Sequence, residues 1–96
     1  MPHLEESYRK DTNIISRQIA GEMILVPIRQ KMGDLDCIFR LNETAARAWD
    51  LLDGQRTLAE IRDQLSEEFE VEPMEAGQDL VGLMDQLESC GAASKA

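Results

Sequence analysis

Residues 41–61, Leu-Asn-Glu-Thr-Ala-Ala-Arg-Ala-Trp-Asp-Leu-Leu-Asp-Gly-Gln-Arg-Thr-Leu-Ala-Glu-Ile, constrain this chain more than any other stretch. Asn42 is a good helix N-cap, and Glu43 places an acid in the first turn, where the helix dipole favours it. Ala45, Ala46, Trp49 and Leu52 then recur at helical spacing until Gly54, a natural stop. Three residues on, Thr57 and Glu60 form a capping box that opens a second helix. Leu58, Ile61, Leu65 and Phe69 are the buried stripe of that helix. Two short helices joined by a tight turn must therefore pack on something, and the rest of the chain has to supply it.

Upstream, Asn13 to Ile19 is rich in β-branched residues, Ala20-Gly21 offers a tight turn, and Glu22 to Ile28 follows as a second strand. Pro27 cannot donate to a ladder, so it belongs at the end of that strand or at an unpaired position. A polar loop turns at Gly33-Asp34, and Asp36 to Leu41 reads as a third strand. Its alternation puts Cys37, Phe39 and Leu41 on the core face and Asp36, Ile38 and Arg40 on the other. Downstream, Val71-Glu72-Pro73 breaks the chain before a third helix with Leu80, Leu83, Met84 and Leu87 on its apolar face and Gly91 at its end. The order predicts an α+β domain: an N-terminal three-stranded antiparallel sheet followed by three helices, winged-helix-turn-helix-like. Residues 1–10, polar and without period, are expected to form a flexible segment, residues 11–92 a single domain, and residues 93–96 a frayed tail.

The net charge of −9 is unevenly placed. Residues 1–41 balance six basic groups against six acids, whereas residues 42–96 set four against thirteen. That surface repels nucleic acid and anionic membrane and suits a basic or neutral protein partner. The predicted third helix holds Glu72, Glu75, Asp79, Asp85 and Glu88 without a single Lys or Arg, which is wrong for a recognition helix in a DNA groove. No apolar run approaches the roughly 18 residues of a membrane span, and the N-terminus has no signal-peptide core, so a cytoplasmic protein is expected.

Catalytic chemistry lacks its parts. His3, Cys37 and Cys90 are the only soft metal ligands, and the acids are scattered over helix surfaces rather than gathered in a calcium loop. One histidine near the terminus cannot organise a triad, and Cys37 on a strand reads as a small buried hydrophobe. Gly33 and Gly54 serve turns rather than a phosphate loop. Ser66 lies mid-helix, unlike the serine that carries a phosphopantetheine arm. No enzyme activity, metal or cofactor is expected.

The run Leu41-Asn42-Glu43-Thr44-Ala45-Ala46, Trp49, Leu52-Asp53-Gly54, Thr57, Glu60-Ile61 and Leu65 resembles the PqqD family, small proteins associated with pyrroloquinoline quinone biosynthesis. The wider group is the recognition element of ribosomally made, modified peptides, and the similarity spans roughly residues 8–93. The resemblance implies a winged-helix-like fold that binds the leader of a precursor peptide and presents it to a modifying enzyme, often a radical S-adenosylmethionine protein. It also implies that the leader adds as a strand beside the third strand, in a groove bounded by the third helix. The corresponding peptide-binding residues are Asp36, Cys37, Ile38, Phe39 and Arg40 for main-chain pairing, with Leu80, Leu83, Met84 and Leu87 lining the groove. Met84 has a flexible thioether suited to varied ligands. Members that serve the quinone pathway often carry an aromatic-Pro-Glu-Gly-like turn before the third strand, where this chain has Arg29-Gln30-Lys31-Met32-Gly33-Asp34. The exposed edge strand suits a monomer or weak dimer. The competing expectation is an acidic adaptor that binds a folded protein through its helical face.

Overall fold

The computed structural model describes residues 3–27 and 39–96. Its elements run β1 (Tyr8–Lys10), β2 (Ile14–Ile19), β3 (Glu22–Pro27), β4 (Phe39–Leu41), α1 (Glu43–Leu51), α2 (Leu58–Phe69), α3 (Pro73–Ser89) and β5 (Ala93–Lys95). The expected α+β architecture is present: β2, β3 and β4 form an antiparallel sheet in that order, and three helices follow. Ala20 and Gly21 both take positive φ, 53° and 84°, as a two-residue hairpin turn between β2 and β3 requires. In the β3–β4 ladder Met23 faces Leu41 and Leu25 faces Phe39. Met23, Leu25 and Leu41 are buried, and with Phe39 and Ile14 they make the sheet's inner face against the helices. Ile15, Arg17, Ile19 and Arg40 are exposed on the other side.

Each helix ends where local chemistry ends it. The Asn42 side chain accepts from the Ala45 N–H at 2.8 Å. All four leading N–H groups of α2, which no helix can satisfy internally, find acceptors. Thr57 donates to the Glu60 carboxylate, Leu58 and Ala59 to the carbonyls of Glu6 and Leu4, and Glu60 to the Thr57 hydroxyl. The reciprocal half of the capping box is the Glu60 carboxylate accepting from the Thr57 N–H at 2.9 Å. At the end of α3, Ala92 N–H returns to Leu87 and Gly91 N–H to Glu88, with Gly91 at φ 74°. This is a Schellman closure, the geometry that glycine is placed there to allow. Helix α1 ends at Leu51, before Gly54, whose N–H instead donates to the Tyr8 carbonyl at 2.9 Å. Between α1 and α2 the Asp53 carboxylate accepts from the Gln55 and Arg56 N–H groups, which holds it below the usual carboxylate range.

Both chain ends depart from expectation. Residues 8–10 and 93–95, read as parts of loose ends, pair with each other as an antiparallel ribbon, Tyr8 opposite Lys95 and Lys10 opposite Ala93. Tyr8, Ala92 and Ala93 are buried in the core. Glu6 and Lys95 add an ion pair at 2.8 Å. Three-residue strands have no periodicity to read, and their partners lie at the far end of the sequence. Lys10 Nζ also sits 5.7 Å from the centre of the buried Trp49 ring, near enough for a cation–π contact.

Among the described residues the core is a single cluster. Leu58, Ile61 and Leu65 of α2, Leu80, Met84 and Leu87 of α3, and Ala46, Ala48, Trp49 and Leu51 of α1 meet the sheet's inner face and Tyr8. Each fully buried leucine or isoleucine contributes roughly 1.5–3 kcal/mol by leaving water. Among the described residues no helix is long and apolar enough to cross a membrane.

Candidate functional site

Strand β4 is the outer strand of its sheet: β3 pairs with one side, and among the described residues no strand pairs with the other. Its free side presents main-chain groups that an extended chain could satisfy. Phe39 is half-buried against the core and Arg40 is exposed, so alternation along the strand gives one inward and one outward handle. Asp36, Cys37 and Ile38, the first half of the expected third strand, lie outside the described residues.

Where β4 runs into α1, a concavity of about 440 Å³ opens between α1, the end of α2 and one flank of α3. The Asn42 cap turns the chain so that Thr44, Ala45 and Ala48 line one wall. Leu65 and Val71 close the end, the chain there being reversed by Glu70 in the left-handed region at φ 54°. The Val71 N–H returns to the Ser66 carbonyl, and the Ser66 hydroxyl donates to the Val71 carbonyl, so this reversal is tied on both sides. The third wall is α3, where Ala76, Leu80 and Leu83 alternate with Glu75 and Asp79. The lining is thus mostly apolar, with two carboxylates and no lysine or arginine. Arg47 clamps the outer faces of α1 and α2 by donating twice to Glu68, at 2.9 and 3.2 Å. The pair holds the Glu68 carboxyl below its usual range and raises the guanidinium.

Of the four α3 residues expected at the groove, Leu80 and Leu83 line it. Met84 and Leu87 do not: both are fully buried among the core side chains. At about 100° per residue Leu83 is turned from Leu80 toward the groove, Met84 is turned the other way, and Leu87 lies nearly two turns further along the helix, past the groove's lining. Sequence reasoning missed Thr44, Ala45, Ala48, Val71 and the acids Glu75 and Asp79 as lining residues. The acids sit four apart on one flank, beside Leu80 and Leu83, and that spacing is visible in the sequence.

A second concavity, of about 760 Å³, lies along the opposite flank of α3, between that helix, Arg62 of α2 and Leu4. Among the described residues no group of three or more His, Cys, Asp or Glu is placed to hold a metal.

The α+β domain thus sets a sheet edge, unpaired among the described residues, beside a helix-walled groove. The family model described as coenzyme PQQ synthesis protein D (PqqD) matches residues 22–92, well over half of the sequence, and the chain belongs to that family. Among solved structures it is similar to TbiB1 in complex with the TbiA(beta) leader peptide. The TM-score is 0.71 at 21% identity, over 90% of this chain and 94% of that one, a likeness of fold. No curated relative matches the sequence.

Proposed function

We propose that the protein is a non-catalytic chaperone for a ribosomally made precursor peptide, in the cytoplasm. It binds the leader by strand addition at β4 and presents the peptide to a modifying enzyme of the radical S-adenosylmethionine type, as in pyrroloquinoline quinone biosynthesis. The observation that carries this reading is the edge of β4, unpaired among the described residues, running straight into Asn42 at the rim of the groove walled by α1 and α3. Family membership supports it, as does a fold shared with a protein solved with a leader peptide. Main-chain pairing falls to Asp36, Cys37, Ile38, Phe39 and Arg40. Leu80 and Leu83 meet the peptide's apolar side chains, and Met84 and Leu87 support them from beneath. Glu75 and Asp79 favour a basic residue among those anchors. The protein would act by raising the concentration of peptide at the enzyme, with no chemistry of its own.

The test is an amide-resolved NMR titration with the leader of a short peptide encoded beside this gene. Shifts clustered on Phe39–Leu41 and on Glu75–Leu83 are expected. Phe39→Pro should abolish them, and so should Leu83→Glu, which leaves the strand's backbone intact. Shifts confined to exposed acidic helix surfaces, and lost steeply as salt rises, would instead identify an acidic adaptor for a folded protein. Strand addition with apolar anchors should change little with salt.

A further inference from the structure

Helix α3 is open on two flanks. Residues at i, i+3 and i+4 share one side of a helix. Ala76, Asp79, Leu80 and Leu83 face the groove beside β4, whereas Met74, Gly77, Gln78, Val81 and Asp85 face the larger concavity on the other side. The larger one has an apolar floor. Met74 is 77% exposed, the most exposed of the large apolar side chains among the described residues. Gly82, also exposed, would place an added Cβ in open space, with nothing within 4 Å. A glycine in a helix interior costs about 1 kcal/mol relative to alanine, and among the described residues no packing offsets that cost at Gly82. Gly77 differs: its missing Cβ lets the Arg62 stem lie against the helix, since a Cβ there would be 3.1 Å from Arg62 Cδ.

The charge around this floor selects the occupant. Among the described residues Arg62 is the one cation lining it, and its Nε already donates to Asp63 at 2.9 Å. Asp85 lines the floor toward the C-terminal end of α3, where the helix dipole is negative and the last turn holds no basic residue. A second copy of a chain with net charge −9 would bring more negative charge to this flank. A partner with an apolar side chain for the Val81–Gly82 floor and a lysine or arginine for Asp85 complements it.

We infer that this flank of α3 is a second docking surface, for an apolar segment of the modifying enzyme that carries a basic residue. Both partners could then hold the domain at once, with α3 as the wall between them. The inference rests on the chaperone reading for the identity of the partner and on the groove's own chemistry for the surface.

The probe is a short synthetic amphipathic helix with leucines on one face and lysines beside them, and a counterpart with glutamates in place of the lysines. Each is titrated into the isotope-labelled full chain. The lysine peptide is expected to shift the amides of Met74, Gly77, Val81, Gly82 and Asp85, and the glutamate peptide to leave them unmoved. Gly82→Leu fills the floor and should weaken binding roughly tenfold, while its melting temperature holds or rises. Asp85→Lys should reverse the preference between the two peptides. Shifts scattered over all the acidic surfaces, or binding unchanged in Gly82→Leu, would overturn the inference. Lysine-peptide binding confined to the β4 groove removes the second surface and leaves the leader reading standing. Binding on this flank with no leader ever pairing at β4 upholds the surface and removes the chaperone reading.

Discussion

Tyr8 has a polar sequence neighbourhood, Glu5-Glu6-Ser7 before it and Arg9-Lys10 after it, yet its side chain is completely enclosed. Its hydroxyl donates to Glu88 Oε2 at 3.3 Å, which satisfies the polar end of an otherwise apolar burial. Burial, with the nearby Glu88 carboxylate second, pushes the phenol from 10 up to about 12. The folded state therefore keeps a proton that the unfolded chain releases. The associated stability is fully present below pH 10 and is lost progressively as pH rises toward 12. Tyr8→Phe should cost about 1 kcal/mol at neutral pH through the lost hydrogen bond and should flatten the decline between pH 10 and 12. Urea midpoints measured against pH for both proteins would show this, and parallel curves would contradict it. Nothing in the sequence around Tyr8 announced its burial, because a single enclosed side chain on a three-residue strand has no period.

At the scale of elements, the sequence was most legible where the determinant is local. The Asn42 cap, the Thr57–Glu60 box and the Gly91 closure each act within five residues, and each forms as its residues dictate. Helix α2 is less favourably terminated at its other end. Glu70 takes the left-handed conformation at φ 54°, where a Cβ crowds the backbone. Glu70→Gly should stabilise the domain by about 1 kcal/mol, which for a chain of this size raises the melting temperature by roughly 4–8 °C. Thermal melts followed by circular dichroism would measure it, and an unchanged or lower midpoint would mean that the glutamate side chain compensates. The candidate site was only half legible for a related reason. A helical apolar stripe marks the buried side of α3, but the same pattern cannot separate Leu80 and Leu83, which reach the groove, from Met84 and Leu87, which do not. That separation depends on where α1 and the end of α2 stop covering the helix.

Taken as a whole, the molecule is fastened by its two ends. β1 pairs with β5, Leu4 and Glu6 supply carbonyls to the first turn of α2, and the Tyr8 carbonyl accepts from Gly54. Removal of residues 1–10 should therefore cost several kcal/mol, since it strips a fully buried aromatic and leaves the Leu58 and Ala59 N–H groups without their acceptors. A urea denaturation of the shortened chain would show a large drop in midpoint, whereas an unfastened tail would be removable without effect. This clasp also fixes the second concavity, because Leu4 forms part of its wall. By itself, the sequence determined the three helices, the Asn42, Thr57–Glu60 and Gly91 caps, the β2–β3 hairpin, the inward face of Phe39 and Leu41, and the acidic cast of the second half, all of which follow from neighbours within a turn or a strand. Only the tertiary structure decided that the ends close on each other, which α3 side chains reach a groove, and that α3 has two open flanks. Those outcomes depend on contacts between residues as far apart as Tyr8 and Lys95, and no local pattern of polarity encodes which distant surface will cover which.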